Sequence, residues 1–203
     1  MFKNLASTAL GTSDIGTVVK PADYDKVESD DFVMHEDGEK IFFLIKSKTD
    51  EYCFTNRAMI HVDGTSAMSK KRTLRRYDYY AFAIGNVMLE TAGNLDRDIE
   101  IKFTMGQQDY SIDVDKKHLE ELKDLYKALL KIGQMQHENG QYLQYARKSL
   151  EAASATVNRA AGDTSLEEQF KAINQYAFTW LRQTHDTYVA KDYGAVFEKY
   201  IKN

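Results

Sequence analysis

Up to about Val114 apolar residues recur mainly at every second position, and beyond Asp115 they recur at steps of three and four. That change of period predicts strands giving way to helices. A run at 39–46 (Ile41, Phe42, Phe43, Leu44, Ile45) reads as a strand buried on both faces. The run 52–62 reads as one half-buried strand, with Tyr52, Phe54, Ala58, Ile60 and Val62 inward and Thr55, Arg57, His61 and Asp63 outward. Asp63-Gly64 is a turn signal, and strands are further predicted at 74–84, 87–91, 99–103 and 110–114. Six strands are thus expected; a seventh would come from a bend near 83–86 or from 32–35. Short strands joined by tight turns imply an antiparallel barrel or sandwich.

Asp115 is placed to cap a helix with the stripe Leu119, Leu122, Tyr126, Leu129 and Leu130. From Gln141 the pattern tightens into heptads, Leu143, Ala146, Leu150, Ala153, Val157 and Ala160, then Leu166, Phe170, Ile173, Ala177, Trp180 and Thr184. Gly162 suits a helix end, and Ser165 with Glu168 makes a capping box that starts the next helix. The two runs predict a helical hairpin, its small alanines facing large aromatics. Asp192 can cap a last helix with the stripe Val196, Phe197, Tyr200 and Ile201.

Composition narrows the class. The chain has 203 residues, 43% apolar and 29% charged, with one proline, which is a globular balance. Residues 1–126 carry 17 basic and 23 acidic groups while 127–203 carry 10 and 8, so two parts with different surfaces are expected. The net charge of −4 argues against nucleic acid as a partner. One cysteine, Cys53, excludes a disulfide scaffold and favours a reducing compartment. The first 22 residues lack the apolar run of a secretory signal, and no run approaches a membrane span, so a cytoplasmic protein, at most peripheral to a membrane, is expected.

Three segments carry a resemblance: 54–63 (FTNRAMIHVD), then Lys70-Lys71-Arg72, then 90–101 (ETAGNLDRDIEI). Their order and spacing resemble the bacterial pleckstrin-homology (PH) domain family, with its T-N-[RK] run, its basic stretch and its E-T-x-G…D-x-D-x-E-[IL] run. From roughly Gly133 the tail is similar to the YvbH-like oligomerisation region that accompanies this domain in some proteins. The resemblance implies an α+β fold, a PH-like antiparallel β-barrel capped by a C-terminal helix over 1–132 and a helical hairpin over 133–203, with self-association into homo-oligomers. Eukaryotic PH domains often bind phosphoinositides through a basic loop between the first two strands; here 47–51 has one lysine and two acids, so that function does not carry over.

Lys70, Lys71, Arg72, Arg75 and Arg76 form the one concentration of positive charge, a candidate site for phosphate, anionic lipid or an acidic peptide. Alternation puts Lys71 and Arg75 opposite Lys70, Arg72 and Arg76. The alternative is a charged edge strand, or pairing with acids such as Asp96 and Asp98. Asn94, Asp96, Asp98 and Glu100 alternate oxygens but lack the glycine and twelfth-position glutamate of a calcium loop. The five histidines have no metal-ligand spacing, and no G-x-S-x-G or phosphate-loop motif is present. Neither a cofactor nor an enzymatic activity is expected.

Two functions are weighed. The first is a scaffold, with an unidentified protein partner, that multiplies through a hairpin seam of Leu143, Leu150, Val157, Leu166, Phe170, Ile173 and Trp180. The second is a peripheral membrane protein docking through the basic strand, helped by an N-terminal face of Phe2, Leu5, Ala9 and Leu10.

Overall fold

The computed structural model describes residues 15–64, 72–91, 98–157 and 165–202. Among these residues eight strands form two antiparallel sheets. The first has the order β1 (Thr17–Val18), β2 (Ile41–Lys46), β3 (Asp50–Thr55), β4 (Ala58–Gly64) and β5 (Arg72–Asp78), and the second β6 (Ile84–Glu90), β7 (Asp98–Met105) and β8 (Gln108–Asp115). Gly16 links them along one margin: its N–H donates to the Asp113 carbonyl (2.8 Å) and its carbonyl accepts from Asp115 N–H (3.0 Å). A methyl group at Gly16 would stand 2.7 Å from Ile45 Cγ2, so glycine alone permits this approach. β5 is the opposite edge, and no ladder joins it to β6 among the described residues. The fold is PH-like, and among the described residues the two sheets do not close into a barrel.

Strands β2 to β4 of the first sheet are covered on both faces, as the unbroken apolar run in β2 predicts, whereas β5 has no buried residue. On one face Leu44, Cys53, Ile60 and Val62 pack against Val27 and Val33. These two valines come from a segment of three short 3-10 turns, Pro21–Lys26, Glu28–Phe32 and His35–Asp37, so 32–35 is not a strand. On the other face Phe43 and Phe54 meet edge to face (6.4 Å), and Phe54 meets Phe103 of the second sheet (5.9 Å). In β7 Ile99, Ile101 and Phe103 alternate inward as expected, and Met105 continues the alternation.

The run 52–62 is two strands, not one. Thr55 Oγ1 accepts from the N–H groups of Arg57 (3.0 Å) and Ala58 (2.9 Å), which folds a tight turn at Asn56-Arg57. Tyr52 therefore pairs with His61 and Phe54 with Met59, and the inward parity inverts across the turn. Thr55 and His61, expected outside, are buried, and His61 stacks on Tyr52 at 4.5 Å. The predicted strand 74–84 likewise breaks at 79–83 and supplies an element to each sheet. The turn expected at Asp63-Gly64 is not there, since both residues lie within β4 and pair with Thr73 and Arg72 of β5; residues 65–71, between the two strands, lie outside the described residues.

Asp115 Oδ1 accepts from Lys117 N–H (3.0 Å) and so caps a 3-10 turn, Lys116–His118, that leads into helix α1 (Leu119–Val157). This helix buries Leu122, Leu125, Ala128, Leu129 and Ile132; Tyr126 is half-buried and Leu130 exposed, so the inward stripe is rotated from the expected one. The helix runs unbroken through Gly133 and Gly140. Two compact units are present: Met1–Gly133 with Lys191–Asn203, and Gln134–Ala190. The last residues, expected to belong with the hairpin, thus complete the first unit. There α3 (Gly194–Tyr200) buries Phe197, which stacks on Phe42 at 5.4 Å. Asp192 links helix and sheet: Oδ1 accepts from Gly194 N–H (2.8 Å) and Oδ2 from Asn56 Nδ2 (2.5 Å).

In the second unit the C-terminal part of α1 pairs with α2 (Leu166–Tyr188). Ser165 Oγ accepts from Glu168 N–H (3.3 Å), the expected cap.

Candidate functional site

The hairpin was expected to zip along both heptad runs, and it does so only in part. Leu143, Ala146 and Leu150 of α1 and Ile173, Ala177 and Trp180 of α2 are half-buried, Thr184 is buried, and Trp180 Nε1 donates to the Ala146 carbonyl (3.4 Å). Ala153 is exposed and Phe170 is 70% exposed. Val157 and Leu166 are the terminal residues of α1 and α2; Gly162 and Ala160 lie outside the described residues. Tyr142 stacks on Tyr188 (5.4 Å), closing the pair near the end of α2.

Much apolar surface stays uncovered. Tyr142, Tyr145, Tyr176 and Phe178 are 51–67% exposed, and Leu181 is exposed too. Phe170, Phe178 and Leu181 fall on one flank of α2 by their spacing. The tyrosines Tyr142 and Tyr145 instead border a groove of about 430 Å³ with Ser149, Trp180 and Gln183. Isolated exposed apolar residues are ordinary, whereas clustered large aromatics on one hairpin are the kind of surface that associates.

The basic strand is β5, an edge strand. Its described arginines each hold a carboxylate: Arg72 pairs with Glu28 (3.2 Å), Arg75 with Asp63 (2.9 Å), and Arg76 with Glu39 in a fork (3.1 Å for both contacts) as well as with Asp78 (2.8 Å). Arg72 and Arg76 thus pair with the 3-10 segment and with Glu39, two residues before β2, while Arg75 pairs across the ladder. Lys70, Lys71, Asn94, Asp96 and the N-terminal face at Phe2 to Leu10 lie outside the described residues. Asp98 faces Asp115 across the second sheet, and Glu100 pairs with Lys102 (2.9 Å).

Two buried carboxylates were not legible in the sequence. The Glu39 side chain has no solvent exposure, and it accepts from Thr55 Oγ1 (2.5 Å), Met34 N–H (2.9 Å) and Arg76. Burial pushes its carboxyl up, but the hydrogen bonds from Arg76, Thr55 and Met34 outweigh this and hold it below the usual glutamate value. Glu51 is held down in the same way by Lys46 and the Ser29 N–H (2.7 Å), against the effect of burial. The T-N-R run is therefore a structural clasp: Thr55 serves Glu39, Asn56 binds Lys40 N–H (2.8 Å) and Asp192, and Arg57 donates to the Asp37 carbonyl (2.5 Å).

Burial pushes the Cys53 thiol up, which disfavours the nucleophilic thiolate. No group of three His, Cys, Asp or Glu able to hold a metal occurs among the described residues, and none of their helices is long and apolar enough to cross a membrane.

Residues 9–133 match the bacterial PH domain family, and residues 144–203 match the YvbH-like oligomerisation region. The chain belongs to the bacterial PH domain family. It is similar to the uncharacterized protein YvbH of Bacillus subtilis, 52% identical over the whole of both chains. It also resembles the crystal structure of a PH-domain-containing protein from Exiguobacterium sibiricum at 50% identity, with a TM-score of 0.86 over 93% of this chain and all of that one. The PH match ends at residue 133 and so omits 191–202, although Phe197 is part of the PH-like unit's core.

Proposed function

We propose that the protein is a non-enzymatic scaffold, in which the hairpin of residues 134–190 joins copies of the chain and each copy displays a PH-like unit. The observation that carries this reading is the set of large apolar side chains left exposed on the hairpin, Phe170, Phe178 and Leu181 above all, within a region similar to a family of oligomerisation regions. Covering a large side chain in a contact is favourable by ~1.5–3 kcal/mol, so a few such residues from two copies can offset the entropy of association. Multiple PH-like units on one assembly would convert weak individual contacts into avid ones.

The test is the mass of the full chain by light scattering. A mass above the 23.3 kDa monomer at micromolar concentration is expected, and Phe170→Ser with Phe178→Ser should lower it while leaving far-ultraviolet circular dichroism unchanged. A wild-type chain that stays monomeric at that concentration defeats the reading.

Docking of the basic strand on a membrane has less support, because Arg72, Arg75 and Arg76 already hold acids.

A further inference from the structure

A cavity of about 550 Å³ opens in the first unit beside β1, away from the ion pairs of β5. Lys20, Lys26, Lys46 and Lys117 converge on it from three separate stretches of chain, the first two from the ends of one 3-10 turn, with Asp23 as the one acid in its wall. Three of these lysines are tethered by carboxylates, Lys26 by Asp23 (2.6 Å), Lys46 by Glu51, and Lys117 by Asp115 (3.6 Å). Lys20 is exposed and has no ion-pair partner among the described residues.

His118 adds a polar group at the same place. Its side chain is 12% exposed, Nδ1 meets Glu121 Oε1 (3.2 Å), and Nε2 is buried with no hydrogen-bond partner. His118 also immediately precedes α1, whose N-terminal end favours negative charge. Val18, Val19 and Val27 supply an apolar wall. Lysines, a helix start and an aliphatic wall suit a doubly charged head on an apolar body.

We propose that this cavity binds a phosphomonoester, with Lys20 and Lys117 contacting the phosphate oxygens. The site is independent of the hairpin and of the strand carrying Arg72, Arg75 and Arg76. Its ligand is either a soluble organic phosphate or the headgroup of phosphatidic acid, which share this chemistry. Full-length protein is titrated calorimetrically with phenyl phosphate, and in parallel sedimented with phosphatidylcholine vesicles with and without phosphatidic acid. Saturable binding of at least one probe is expected, weakened about tenfold or more in Lys20→Ala with Lys117→Ala, since each substitution removes a charge-assisted contact. Arg72→Ala should leave it unchanged. Saturation by phenyl phosphate identifies a soluble ligand, and binding confined to phosphatidic acid vesicles identifies the headgroup. Failure of both probes, or undiminished affinity in the double variant, overturns the proposal.

Discussion

Phe197→Ala tests whether the end of the chain is part of the PH-like core. Phe197 has no solvent exposure, stacks on Phe42 at 5.4 Å and lies 6.2 Å from the Tyr79 ring. Removing a buried phenylalanine destabilises by about 3–5 kcal/mol, because the transfer free energy is lost and the cavity left behind collapses only in part. A domain stable by about 5–15 kcal/mol would lose a large fraction of its margin. The single tryptophan, Trp180, sits in the other unit and does not report this core. The assay is therefore hydrogen exchange on the full chain, followed in peptides from β2, β3 and β4. Those amides should exchange faster by the factor corresponding to the lost stability, and Glu198→Ala, on the exposed side of α3, should change them little. Acceleration confined to peptides from α3 itself would show the segment to be a loose tail and refute the reasoning.

Gly133→Ala should destabilise the first unit even though alanine is the better helix former by about 1 kcal/mol. Its Cβ would stand 2.6 Å from the Ile84 carbonyl oxygen, so helix and sheet must separate, and a lower thermal midpoint for the first unit checks this. Glu39→Ala should cost about 3–5 kcal/mol, because the partly buried Arg76 loses its forked partner, whereas Arg72→Ala, at a more exposed pair, should cost less than about 1 kcal/mol. The urea midpoints of the two variants separate these outcomes. Glu39, Glu51 and Asp50 all have folded pKa values below their ordinary 4.5, 4.5 and 3.8. Their contribution is fully present above those ordinary values and is lost as pH falls through the lower folded ones. Urea midpoints should accordingly be level near neutral pH and fall below about pH 4.5, less steeply in Glu39→Gln.

Part of this was readable from local pattern alone. The alternation of Ile99, Ile101 and Phe103, the doubly buried run in β2, the cap at Ser165 and the capping carboxylate of Asp115 each concern neighbours in sequence, and the structure places them as expected. The turn at Asn56-Arg57 was not readable, because Thr55-Asn56-Arg57 contains neither glycine nor proline. Its signal was the Thr55 hydroxyl, able to accept from the two following amides. Missing it reversed the assignment of His61.

The amino-acid order by itself determined the class of this protein, strands then helices with a mid-chain change of period, because amphipathic periodicity is set within one element. Its family motifs were legible for the same reason. Only the tertiary structure decided that Glu39 and Arg76 meet, that lysines from three stretches share a cavity, and that Phe197 returns to Phe42 across more than 150 residues. Burial and ion pairing between distant residues depend on how elements stack, and no local period encodes that.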